Sequence, residues 1–154
     1  MEHRNRLTHP IVDQPIFSVD RSVAFQDVDA AGLVFFVRFF EYCHDTFFAF
    51  MASRGISMPE VLARGTWGCP VAHAEADYAI PLRFGDRFTV EITELTFGTT
   101  SLRASYRVTN PRDMNVCTAN IVHVFIDRHT LRPQPPPEAV REALKTSATA
   151  EAPE

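Results

Sequence analysis

Apolar residues crowd the stretch FFVRFFEYCHDTFFAFM, residues 35–51, and they recur at helical rather than strand spacing. At about 100° per residue, Phe36, Phe39, Phe40, Cys43, Phe47, Phe50 and Met51 share one broad face. Arg38, Glu41, Asp45 and Ala52 form a narrow opposite stripe, a solvated or subunit-facing edge, and His44 falls at the boundary. This pattern predicts a helix from Phe35 to about Ser53, with Gly55 as its stop. A second, short helix is expected over Met58–Arg64, with Ser57 as N-cap and Pro59 in the first turn. Elsewhere the period is that of strands. Residues 17–25, FSVDRSVAF, read as one strand, followed by a turn or loop over 26–32. Residues 70–80, 87–97, 100–109 and 115–126 read as four more, separated by PLRFGD, FGTT and NPRDMN. In SLRASYRV, Leu102, Ala104, Tyr106 and Val108 alternate onto one face. The proline-rich RPQPPPE ends this run, and residues 138–145 suggest a short last helix.

Strand, long helix, then a run of four strands is an α+β order. A helix this apolar needs more cover than one sheet edge gives, so an antiparallel sheet wrapped around one long central helix is expected. The 154 residues fit a single domain, taken as 16–145, with a flexible N-terminal arm at 1–15 and a disordered tail at 146–154. No internal repeat is visible.

Composition adds mainly exclusions. A formal net charge of -4 leaves no basic footprint, so nucleic acid is not the expected partner. Arg38, Glu41, His44 and Asp45 interrupt the longest apolar run, so no membrane span is expected. MEHRNRLTHP lacks the apolar core of a secretory signal. Three cysteines, Cys43, Cys69 and Cys117, are scattered and odd in number, which suits a reducing cytoplasm better than a disulfide framework. None forms a CxxC pair, and His73, His123 and His129 offer no metal-ligand spacing, so no metal is expected. No G-x-S-x-G elbow exists for a serine triad.

The chemistry concentrates at the start of the long helix, where FQDVDAAGLV places two aspartates before it. The N–H groups of Val34 to Val37 are expected to lack intrahelical partners and to sit at the positive end of the helix dipole. Such a place binds an anion, or an oxygen that becomes one during reaction. Gly32 and the two alanines leave room for close approach. Asp29 lies about five residues too early for a cap. Its position alone leaves two readings open, a loop carboxylate or a group that attacks a carbonyl or activates water.

FQDVDAAGLVFFVRFFEYCHDTFF resembles the hot-dog fold acyl-CoA thioesterases of the 4-hydroxybenzoyl-CoA thioesterase family, whose mark is D-x-D-x-x-G leading into the central helix. The resemblance continues through VAHAEADYAIPLRFGDRFTV and FGTTSLRASYRVTN and covers roughly residues 17–140. It implies that Asp29 is the catalytic carboxylate, that Asp27 supports it, and that the Phe36 backbone amide polarises the thioester carbonyl. One bacterial branch of the family carries a histidine where this chain has Phe36. A mechanism needing that side chain is excluded here, whereas an amide contribution is not. The resemblance also implies dimers that pair into tetramers, coenzyme A as part of the substrate, and no other cofactor.

In the 4-hydroxybenzoyl enzymes an aspartate contacts the substrate phenol at the position matching His44. A histidine there, in the setting CHD at 43–45, resembles the 1,4-dihydroxy-2-naphthoyl-CoA thioesterases of phylloquinone and menaquinone synthesis. PVAHAEADY fits that subgroup as well. His44 is about 12 Å along the helix from Phe36. An aromatic acyl group held by its carbonyl at Phe36, over Gly32, Val37 and Phe40, would point a hydroxyl toward His44. The alternative for His44 is a boundary histidine bonded to a backbone carbonyl. Trp67 and Cys69 are candidate walls of the acyl pocket, with ordinary packing as the alternative. Arg83, Arg87, Arg103 and Arg107 are candidates for the coenzyme A phosphates, none assigned. A short or branched aliphatic acyl-CoA, a hot-dog hydratase or dehydratase, and a non-catalytic acyl-CoA binding module stay open beside the aromatic thioesterase.

Overall fold

A computed structural model of the chain describes residues 14–146 and 149–151. Strand β1 (Phe17–Ser22) is followed by a single 3-10 turn at Phe25–Asp27, a tight loop, and helix α1 (Arg38–Ser53). Helix α2 (Met58–Arg64) precedes strands β2 (Trp67–Gly68), β3 (Val71–Tyr78), β4 (Arg87–Phe97), β5 (Ser101–Thr109), β6 (Asn115–Val124) and β7 (Ile126–Asp127). Helix α3 (Glu138–Leu144) and strand β8 (Thr149–Glu151) complete the order. The main sheet runs β1-β4-β5-β6-β3 with every pair antiparallel. This is the expected sheet wrapped around one long helix.

The packing follows from the side chains. Phe39, Tyr42, Cys43, Phe47, Phe50 and Met51 of α1 are buried against Val90, Ile92, Leu95, Leu102, Tyr106 and Ile121 of the sheet. In β5 the predicted alternation holds: Leu102, Ala104, Tyr106 and Val108 all face the core. In β4 the register shifts between Ile92 and Glu94. That bulge consumes one residue, so the core positions change parity, from Phe88, Val90 and Ile92 to Leu95 and Phe97. It also bends the strand, which lets a flat sheet curl around a helix. Ser57 caps α2 by accepting the Glu60 N–H, with Pro59 in the first turn as expected. Gly55 ends α1 at φ +82°, a conformation costly for any residue with a Cβ.

Some expectations change. The long helix begins at Arg38, not Phe35, and Phe36 is 56% exposed rather than part of its buried face. The polar stripe is paired: Arg38 binds Glu41 within it at 2.8 Å, and Arg21 of β1 reaches Asp45 from outside it at 3.0 Å. The two-residue strands β2 and β7 form a small second sheet that the sequence pattern does not reveal. The expected N-terminal arm lies outside the described residues up to position 13. Within the tail expected to be disordered, residues 149–151 instead pair in parallel with Leu95–Phe97 of β4. The reason is that β1 covers β4 only from Arg87 to Ile92 and leaves that edge open.

Phe47, 1% exposed, sits at the centre of this packing. Phe47→Ala is expected to destabilise the fold by about 3–5 kcal/mol. Urea denaturation checks this through a lower midpoint at unchanged slope.

Candidate active site

Residues 27–35 fold back as a miniature hairpin. Val28 bridges Val34, the Asp29 N–H donates to the Leu33 carbonyl, and the Phe35 N–H donates to the Asp27 carbonyl. Gly32 closes the tip at φ +78°. The return leg is held from outside, where Leu33 bridges Arg83 and the Val34 N–H donates to the Leu82 carbonyl. One Asp29 carboxylate oxygen accepts the Ala31 N–H at 2.8 Å and the Leu33 N–H at 3.4 Å. Its other oxygen has no hydrogen-bond partner among the described residues, and the side chain is exposed.

The neighbouring aspartate does different work. Asp27 accepts the Tyr42 hydroxyl at 2.8 Å and the Ala24 N–H at 3.3 Å, and Arg38 lies 3.8 Å away. These contacts tie the loop to α1. Burial, then the Asp27 carboxylate, raises the Tyr42 pKa well above a phenol's ordinary range, so the hydroxyl remains a donor.

The start of α1 differs from the expectation in a useful way. Of the four N–H groups from Val34 to Val37, the first two are consumed by Leu82 and Asp27. The N–H groups of Phe36 and Val37 make no hydrogen bond among the described residues, and no side chain caps Val37. Asp29, Gly32, Phe36 and Val37 are thus gathered on one short hairpin-to-helix segment. Beside it a cavity of about 280 Å³ is lined by Leu33, Phe36, Phe39, Tyr78 and Ile80, among others.

His44 lies elsewhere. It forms part of the wall of two cavities, one of about 260 Å³ with Phe40, Val71, Ala74 and Ile121, and one of about 360 Å³ with Phe48, Met58, Cys69 and Ile126. Neither shares a residue with the cavity at the helix start. Within one chain, Phe36 and His44 therefore line separate cavities. Trp67 is buried and packs against Phe125 at 5.8 Å between ring centres, while its neighbours Gly68 and Cys69 face the larger cavity. Burial pushes the Cys69 thiol up to about 11, which disfavours the thiolate. Arg107 is held by Glu91 at 2.7 Å and by Asp113 at 3.5 Å.

Burial lowers the His44 pKa against an opposing pull from Asp45, so the ring is neutral at physiological pH. Its ring stacks at 5.7 Å on His123, which is fully buried and also stacks on Phe47 at 4.5 Å. The His123 Nδ1–H donates to the Cys69 carbonyl at 3.0 Å, leaving Nε2 without a partner among the described residues. Sequence reasoning did not anticipate this pair, nor the Asp27–Tyr42 bond, because both join residues far apart in the chain.

An antiparallel sheet curled around one central helix is the fold of the hot-dog thioesterases. The profile of the thioesterase-like superfamily matches residues 23–144, and the chain belongs to that family. It is 32% identical over 133 residues to a 1,4-dihydroxy-2-naphthoyl-CoA hydrolase of Synechococcus elongatus, spanning 86% of this chain and 97% of that protein. A second such hydrolase, from Rippkaea orientalis, is 29% identical over 85% of this chain and 96% of its own length. Among solved structures, a 1,4-dihydroxy-2-naphthoyl-CoA thioesterase from Synechocystis superposes with a TM-score of 0.78 at 25% identity, covering 83% of this chain and 94% of that one. No helix of the described residues is long and apolar enough to cross a membrane.

Burial of neutral His123 makes stability depend on pH. Its pKa is lowered from 6.5 to about 4, chiefly by desolvation. Between those values the unfolded chain binds the proton and the folded one does not. The contribution is fully present above pH 6.5 and is lost as pH falls toward 4, amounting to about 3 kcal/mol. Urea midpoints measured across this range are expected to fall with pH, and His123→Phe is expected to flatten that dependence.

Proposed function

We propose that the protein hydrolyses an aromatic acyl-CoA thioester, with 1,4-dihydroxy-2-naphthoyl-CoA first and a hydroxybenzoyl-CoA second. The observation that carries the reading is a half-tethered carboxylate on a short hairpin, followed directly by two unpartnered amides at the start of the helix. Asp29 is fixed through one oxygen and keeps the other for reaction. The thioester carbonyl oxygen takes the Phe36 and Val37 N–H groups, which strengthen their hold as negative charge develops on it. Two routes use this geometry. Asp29 attacks the carbonyl carbon, the C–S bond breaks, and water then hydrolyses the mixed anhydride. Alternatively, Asp29 takes a proton from water as that water attacks, and the proton passes to the departing thiolate. Both release the free acid and coenzyme A, and neither calls on a metal or redox group.

The separate His44 cavity fits this reading once a second copy is considered. Strand β3 is an eight-residue edge, exposed along almost its whole length. Its C-terminal end, Tyr78, lies beside the helix-start cavity, and its N-terminal part, Val71 and Ala74, lines a His44 cavity. Antiparallel pairing of two β3 edges would set the Asp29 end of one chain beside the His44 end of the other. A dimer so paired would supply a composite pocket, with a carbonyl site from one subunit and an apolar cavity from its partner. A flat aromatic ring suits Phe40, Val71, Ala74 and Ile121, and neutral His44 offers a hydrogen bond to a ring hydroxyl. The three unpaired thiols suit action in a reducing cytoplasm.

Thiol release from a panel of 1,4-dihydroxy-2-naphthoyl, 4-hydroxybenzoyl, benzoyl and aliphatic CoA thioesters tests the reading. Asp29→Asn is expected to lower kcat by at least about 100-fold while leaving the melting temperature and product binding nearly unchanged. Normal turnover in that variant would remove Asp29 from the mechanism. His44→Ala is expected to cost about 1–3 kcal/mol in kcat/KM on hydroxylated aromatics, and less on benzoyl-CoA. Equal losses on both would leave His44 a packing residue.

A further inference from the structure

The two free amides at the start of α1 need something to hold them in place. The usual device, a side-chain cap, is missing, because Val37 occupies the cap position and accepts nothing through its side chain. The helix ladder also begins late. The Phe40 N–H donates to Val37, at 3.0 Å, rather than to Phe36. This leaves the Phe36 carbonyl outside the ladder, and it is taken by a side chain from the sheet: the Tyr78 hydroxyl donates to it at 2.8 Å.

That bond bears directly on the oxyanion site. The Phe36 carbonyl and the Val37 N–H belong to one planar peptide unit and point in opposite directions. Fixing the carbonyl toward Tyr78 fixes the Val37 N–H away from it, and prevents the unit from flipping. A hydrogen bond to the carbonyl also polarises the amide, which strengthens its N–H as a donor. The Tyr78 ring is itself anchored. It stands edge-on to Phe39 with 5.3 Å between centres, and Phe39 is buried on α1. Burial raises the Tyr78 pKa, with smaller contributions from Cys117 and Cys43, so the phenol stays protonated and able to donate at neutral pH.

We infer that Tyr78 is a positioning residue for the thioesterase reaction, holding the Phe36–Val37 peptide unit so that its N–H faces the developing oxyanion. The inference rests on the thioesterase reading above and deepens it. It predicts an effect on turnover rather than on ground-state binding, because the amide matters most once charge has formed on the carbonyl oxygen.

The test is Tyr78→Phe in the intact 154-residue chain, which keeps the ring against Phe39 and removes only the hydroxyl. Steady-state kinetics on the best aromatic CoA thioester, with wild type and Asp29→Asn alongside, are combined with melting temperature. The expected result is a kcat lowered about tenfold or more, with KM within about twofold of wild type. The melting temperature should stay close to that of wild type. Unchanged kcat in Tyr78→Phe, with wild type active and Asp29→Asn inactive, would overturn this inference alone. So would a raised KM at full kcat, or a loss of activity that merely tracks a loss of folded protein. Absence of turnover by the wild type on every thioester would overturn the thioesterase reading, and this inference with it.

Discussion

The burial of α1 in the curl of the sheet governs the rest of the molecule. Its aromatic and aliphatic side chains are too many for a single flat surface to cover. Phe39, Cys43, Phe47, Phe50 and Met51 are each at most a few per cent exposed. The sheet meets them by bending at the β4 bulge, which keeps Leu95 and Phe97 on the inner face. With the helix so constrained, its N-terminus has one place to be. The hairpin before it is then pinned between that end and the Leu82–Arg83 segment.

This is why a carboxylate can stand at the mouth of the most hydrophobic helix. Asp27 and Asp29 are two residues apart and face different tasks. Asp27 turns toward Tyr42 and Ala24 and binds loop to helix. Asp29, at the exposed tip, is bonded through one oxygen to its own loop and leaves the other without a partner among the described residues. A loop so short, with three backbone hydrogen bonds across it and a glycine at positive φ, holds its carboxylate in a defined place. The amides it presents are the ones the helix itself fails to use.

The division of the chain between two cavity regions has a structural consequence. The helix-start cavity and the His44 cavities lie near opposite ends of the same edge strand. An edge strand with an open hydrogen-bonding rim invites pairing. Pairing of two such edges, antiparallel, would bring the helix-start cavity of one chain beside a His44 cavity of the other.

Much of this was legible in the residues. The 3.6 period of residues 35–51 gave the helix, the alternation in SLRASYRV gave the inner face of β5, and Ser57 with Pro59 marked the start of α2. D-x-D-x-x-G before an aromatic helix carried the family resemblance. These signals are local, since they depend on backbone geometry and side-chain direction within a few residues. What tertiary structure alone decided is non-local. The true start of α1 depends on Leu82 and Asp27 claiming two amides that a bare helix would expose. Trp67 turned into the core, His123 met Cys69 and His44, and Tyr78 reached Phe36 across 42 positions of sequence. No periodicity encodes such meetings. Sequence determined which segments could be helix or strand and which carboxylates were candidates. Packing in three dimensions decided which amides stayed free, because a hydrogen-bond donor is free only when every possible acceptor around it is otherwise placed.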